Sequence, residues 1–201
     1  MGFVCEDAKP GGTMSAFEFV FSLFGLLLGF SLVEVLGGLG KVLKSRRHIR
    51  VGWLTPLLAL FVMVDITSFW LWAWVARDGV PANAASLFTG LFICGLYYLA
   101  AILVFPDDPA ERGELDSHFF EQKAKVLAGV LACNVLAYCA RAWAQGGFGV
   151  NYTSWDWSVL AAYFILLTAA MFARGQRWNA ACLALLILLY AADAVILALA
   201  A

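Results

Sequence analysis

The chain has 201 residues, 63% of them hydrophobic and only 13% charged, with a formal net charge of −1. A soluble domain of this size carries about a quarter charged residues, and recognition of nucleic acid through its phosphates needs a basic excess. Neither class fits, and the long unbroken apolar runs point instead to a polytopic membrane protein.

The first 13 residues, MGFVCEDAKPGGT, have no apolar stretch of the kind a cleavable signal needs. Cys5 lacks the apolar lead-in of a lipidated cysteine, and the Met-Gly start lacks the Ser or Thr of a myristoylation site. Residues 1–13 are therefore read as a short outside tail, and the first run, 14–36, as an uncleaved anchor. That run carries Glu18 near its outer end, Glu34 in its inner part, and Gly25-Leu-Leu-Leu-Gly29 with Ser22 on much the same face. Small residues at this spacing let helices approach closely in lipid.

The second run, 53–75, contains LFVMVDITSFWLWAW, in which Asp65 is surrounded by apolar and aromatic residues. A charge at the centre of a membrane helix costs roughly 2.5–3.5 kcal/mol on insertion scales, so this group needs an explanation. The third run, 83–105, opens with Asn83-Ala-Ala and has Ser86, Gly90 and Cys94 on one ridge.

Residues 106–125, PDDPAERGELDSHFFEQKAK, form the longest loop. Asp108 as N-cap, Pro109 in the first position and Glu111 in the third predict a short helix running into the next span. Its six acids against three bases suggest a solvated face. Glu114, His118 and Glu121 share a side and could meet His48, but the spacing matches no common metal motif, so no metal is expected.

The fourth run, 126–144, combines a small-residue ridge of Gly129, Cys133 and Ala137 with Asn134, Tyr138 and Arg141 at i, i+4 and i+7, hence on one face. The ridges read as packing within one chain, with a seam between copies as the sharper alternative. The segment QGGFGVNYTSWDW then includes a glycosylation-type triplet, Asn151-Tyr152-Thr153, which matters only in a secretory-pathway host. The fifth run, 158–173, reaches the ~20 residues a bilayer requires once Trp155 and Trp157 extend it to 155–173. The sixth, 179–200, opens with Asn179-Ala-Ala and holds Tyr190 and Asp193. The two Asn-Ala-Ala openings are treated as coincidence, because their flanking spacings differ.

The expected fold is all-α, a bundle of six transmembrane helices with a cytoplasmic helical loop at 106–125. Strands with open edges would leave backbone groups unpaired in lipid. Lys41, Lys44, Arg46, Arg47, Arg50, Arg112, Lys123, Lys125, Arg174 and Arg177 fall on one side, against Lys9, Arg77 and Arg141 on the other. The positive-inside rule puts both termini outside. Trp70, Trp72, Trp74, Trp143, Trp155 and Trp157 gather at the outer ends, with Trp53 and Trp178 at the inner interface.

The candidate ion- or proton-binding residues are Asp65, Asp193, Arg141, Glu18, Tyr138, Tyr190 and Asn134. Each buried acid has three options: protonation, a water-filled cavity, or a bound cation. Interhelical hydrogen bonding is the structural alternative, and Glu18 and Arg141 can also snorkel to the interface. No cofactor is expected: no Lys lies at a helix centre for a retinal Schiff base, and His48 and His118 map to the cytoplasmic face, away from any haem between helices. The helical cysteines Cys94, Cys133, Cys139 and Cys182 form no CxxC and are expected as free thiols packed between helices.

No nucleophile stands beside a base, which points away from catalysis. Two functions remain. One is ion- or proton-linked permeation of a small solute through a site using Asp65 and Asp193, balanced by Arg141. The other is a non-catalytic accessory or scaffold subunit, with a second copy or a larger membrane complex as partner. Permeation calls for a polar cavity near the acids; the accessory role calls for a dry bundle.

The stretches GFSLVEVLGGLGKVLKSRRHIR, SFWLWAW, VFPDD and HFFEQKAK resemble a group of uncharacterised bacterial multi-span proteins over about the first three fifths of the chain. The resemblance implies a bacterial inner-membrane location and carries no activity with it.

Overall fold

The computed structural model describes residues 16–45, 52–75, 83–108, 114–149 and 152–200. Among these the fold is all-α, with six helices long and apolar enough to cross a membrane. They are α1 (Ala16–Ser45), α2 (Leu54–Val75), α3 (Ala84–Ile102), α4 (Leu115–Gln145), α5 (Ser154–Phe172) and α6 (Gln176–Ala200). Cys5, His48, Pro109, Glu111, Asn151 and the side chain of Glu18 lie outside the described residues.

Local chemistry sets several ends. The Asn83 side chain accepts the Ser86 N–H at 2.9 Å and caps α3. Thr153 and Asp156 form a reciprocal capping box at the start of α5. Gly146 closes α4 with φ of 75°, a conformation that favours glycine.

Two boundaries differ from those read in the sequence. α1 continues past residue 36 to Ser45. Leu28, Ser31, Val35, Gly38 and Val42 are buried at alternating three- and four-residue steps. That seam carries the helix beyond the drop in hydropathy. The fourth helix starts at Leu115, with Glu114 in extended backbone as its N-cap, and the predicted first turn at Pro109–Glu111 lies outside the described residues. It then runs unbroken for 31 residues. Its first turns are two-sided: Glu114, Ser117 and Glu121 are exposed, as a solvated acidic face requires, whereas Leu115, His118, Phe119 and Lys123 are buried. Thr55 donates to the Leu115 carbonyl at 3.2 Å and Gln176 to Asp116 at 3.1 Å, so this turn is wedged between the starts of α2 and α6.

The helices pack in the cyclic order α1, α3, α4, α5, α6, α2 and back to α1, and α2 also touches α3 and α4. This makes α2 the innermost helix. Glycines allow the closest approaches. A Cβ on Gly90 would lie 2.2 Å from the Phe24 ring, and one on Gly38 would lie 2.4 Å from the Phe105 ring. Gly25 faces Trp70, whereas Gly29 has open space, so only half of the GxxxG pair is used inside the chain. The outer surface stays apolar, with Leu26, Phe30, Val33, Phe92, Ile165 and Leu188 exposed.

A polar junction holds α4, α5 and α6 together at the lysine- and arginine-rich end. Lys123 donates to the carbonyls of Ala170 (3.0 Å) and Ala173 and to Asn179 Oδ1 (2.7 Å). Asn179 in turn donates to the Ala173 and Gly175 carbonyls, both at 2.9 Å. The Ala170 and Ala173 carbonyls are among those the end of α5 leaves without an intrahelical partner. Asn179 therefore lies inside α6 and serves a junction, whereas Asn83 is a cap; the two Asn-Ala-Ala segments do different work. The cysteines Cys94, Cys133 and Cys182 are free and buried. Cys139 is free but exposed, contrary to the expectation that all four pack between helices.

Candidate functional site

Asp65 lies near the middle of α2 and is 1% exposed. Four side chains from four other helices converge on it. Tyr97 of α3 donates to Oδ2 at 2.8 Å, Tyr163 of α5 donates to Oδ1 at 2.7 Å, and Tyr190 of α6 also donates to Oδ1. Asn134 of α4 lies at 3.3 and 3.4 Å from the two oxygens and also donates to the Val130 carbonyl at 3.0 Å. An ionised carboxylate only accepts hydrogen bonds, and each phenol has one proton to give. The set is thus matched to an acceptor: one carboxylate ties five of the six helices together.

The surroundings fix these side chains. Tyr163 and Tyr190 meet edge to face at 5.7 Å, and Tyr97 packs on Phe69 at 5.3 Å. Two of the four donors, Tyr190 and Asn134, belong to the set read from the sequence. Tyr97 and Tyr163 do not. A phenol inside an apolar span needs a hydrogen-bond partner when buried, and that need was the available signal. It could not choose between adjacent Tyr97 and Tyr98.

On the tryptophan-rich side of this cluster lies an open cavity of about 330 Å³. Its wall includes Asn134, Tyr138, Arg141, Tyr163, Tyr190 and Asp193. Five of the seven candidate residues thus share one cavity, and Asp65 lies behind the wall made by its own donors. No protein-family model, curated protein or solved structure matches the chain.

Arg141 does not neutralise Asp65. Its Nε donates to Gln145 at 3.1 Å, Nη1 donates to the Tyr152 hydroxyl at 3.2 Å, and the guanidinium stacks over Trp72 and Tyr152. Burial pushes the Tyr152 phenol above its ordinary range, and the nearby guanidinium opposes that shift. Tyr138 packs against Trp72 and Phe164 without reaching Asp65. Asp193 is exposed in the cavity, one turn from Tyr190. Asp156, the other acid in the wall, is occupied by the Thr153 backbone N–H and hydroxyl, both at 2.7 Å. Among the described residues, no group of three or more His, Cys, Asp or Glu is placed to hold a metal.

The half of the bundle beyond Asp65 is packed. Leu58, Phe61, Val62, Leu127, Leu183 and Leu186 are fully buried there. The cavity therefore ends at the Asp65 cluster.

Proposed function

We propose that the chain is a multi-pass protein of a bacterial inner membrane, with both termini outside, that binds a small solute in the tryptophan-rich cavity and couples its passage to a proton on Asp65. The observation that carries this reading is shared membership. Tyr163, Tyr190 and Asn134 line the cavity and also supply three of the four donors to Asp65. A solute that draws these groups to itself removes hydrogen bonds from the carboxylate. The carboxylate then recovers stability by taking up a proton. The titratable groups around it include the three phenols, the Cys133 thiol and, farther off, Tyr138. Passage to the other side requires the packed half to open, as in alternating access.

The test uses proteoliposomes containing a trapped pH dye and challenged with small solutes. One solute class is expected to move protons with the wild-type chain and not with Asp65→Asn, which keeps the shape of the group but cannot ionise. Correctly folded protein that moves no protons with any solute would overturn the reading. The orientation is tested by reporter fusions. Positions 45 and 115 should report cytoplasm, and positions 79 and 150 and the C-terminus should report the outside.

One observation favours the accessory reading. Glu34 is exposed on α1, seven residues or roughly 10 Å outward of Lys41. A carboxylate at that depth is costly against lipid and favourable against a partner's donor. Native-membrane purification that recovers one stoichiometric partner, lost on Glu34→Leu, would support that role.

A further inference from the structure

The cavity wall carries Arg141 and two acids, Asp156 and Asp193, and of these Arg141 and Asp193 are not used on each other. Arg141 projects from α4 and Asp193 from α6. Among the described residues no hydrogen bond or ion pair joins them. Arg141 is held to its own side by Gln145, Tyr152 and the Trp72 face, which leaves further guanidinium N–H groups for an incoming acceptor. Asp156 has its Oδ2 held in the capping box and has Arg141 as an electrostatic neighbour, which makes Asp193 the less committed acid of the wall. The same wall carries the aromatic side chains of Trp72, Tyr138, Tyr152 and Trp155.

These features specify a ligand chemistry. Guanidinium recognises a carboxylate or phosphate through paired N–H donors. A carboxylate beside aromatic faces suits an ammonium group, and most of all a quaternary one. With the Asp156 Oδ2 held in its capping box, a ligand with one charged end would engage only one of Arg141 and Asp193 when it expelled water. At about 330 Å³ the cavity is at the small end of ligand pockets, which run from roughly 300 to 1,000 Å³.

We propose that the cavity takes a small zwitterion, its anionic end on Arg141 and its ammonium end on Asp193. The proposal rests on the solute-binding reading above and names the class of solute. The same chemistry occurs in a free amino-acid-like molecule and in the headgroup of an ethanolamine phospholipid.

The experiment reads quenching of intrinsic tryptophan fluorescence in purified full-length chain held in nanodiscs. The probes are glycine betaine, choline, acetate and glycerophosphoethanolamine. Glycine betaine or glycerophosphoethanolamine is expected to bind at least tenfold more tightly than choline or acetate. Asp193→Asn and Arg141→Gln should each remove that preference, with Arg141→Lys restoring part of it if Arg141→Gln fails to fold. Nanodiscs of phosphatidylglycerol and of phosphatidylethanolamine separate the sources. A free zwitterion binds equally in both, whereas a lipid headgroup site is already occupied in the second. Choline or acetate binding as tightly as the zwitterions overturns the proposal and leaves solute binding standing. A folded chain that binds no probe in phosphatidylglycerol overturns both. Zwitterion preference with unchanged proton movement in Asp65→Asn supports this proposal and removes only the proton coupling.

Discussion

Asp65 and Lys123 show how a charged residue can be kept inside an apolar bundle. Each is surrounded by groups that would themselves be unsatisfied without it. Interhelical side-chain hydrogen bonds in membranes average about 0.6 kcal/mol and reach about 1.7. Asp65→Leu removes the acceptor of three phenols at once, while Asn134 keeps its bond to the Val130 carbonyl, so it is expected to cost about 2–4 kcal/mol. Asp65→Asn keeps one good acceptor and forces one phenol to turn, at about 1 kcal/mol. Thermal or denaturant unfolding in detergent measures both, and equal stability for Asn and Leu variants would contradict the donor cage. Lys123→Met removes the donor from two carbonyls and from Asn179. Leaving such groups unmet inside the fold costs about 1–3 kcal/mol. The same unfolding experiment should show that loss, and Lys125→Met, at an exposed position, should show almost none.

At the scale of the helix, the α1–α3 contact depends on glycine at two levels. Gly90→Ala drives a methyl group into the Phe24 ring, and Gly38→Ala does the same at Phe105. Overpacking of this kind costs about 1–3 kcal/mol. Gly29→Ala meets nothing within 4 Å and should be neutral or stabilising by up to about 1 kcal/mol, since Ala is the better helix former. A double-mutant cycle sharpens the test. Phe24→Ala should relieve much of the Gly90→Ala penalty and leave the Gly38→Ala penalty in place, because only contacting residues couple. If all three glycine variants behave alike, the contact is not where the structure puts it.

For the whole molecule, the arrangement is asymmetric. The cavity, its aromatic wall and its charged residues occupy the tryptophan-rich half, and the other half is closed by packed leucines and the Lys123 junction. Thiol chemistry reports on this packing. Cys139 is exposed, whereas Cys94, Cys133 and Cys182 are buried. In a Cys5→Ser background, a membrane-permeant maleimide should modify Cys139 alone under native conditions and all four helical cysteines after denaturation. Fast native labelling of Cys133, which sits behind Asp65, would mean that the packed half opens far more readily than its contacts suggest. Replacing all four cysteines with Ala should preserve assembly, and a disulfide between any two would contradict the free-thiol state.

Much of this was present in the one-dimensional pattern. Apolar runs near 20 residues predict six spans, because backbone groups in lipid must be satisfied within the segment. The cost of a mid-span charge marked Asp65 as buried and partnered, and the i, i+4, i+7 spacing put Asn134, Tyr138 and Arg141 on one face of α4. The partner of Asp65 was not legible in the same way. Sequence spacing states which residues share a helix face, but not how far one helix is rotated or slid against another. That rotation turned Tyr97 and Tyr163 toward Asp65 and left Arg141 to Tyr152 and Gln145. It also turned Cys139 outward, buried His118 and Lys123 in what read as a solvated loop, and carried α1 on to Ser45 along a seam of close contacts. Local periodicity and transfer energy determine which segments become helices and which groups must be hidden. The partners that hide them are decided by packing among six helices, where one glycine or one ring fixes the register.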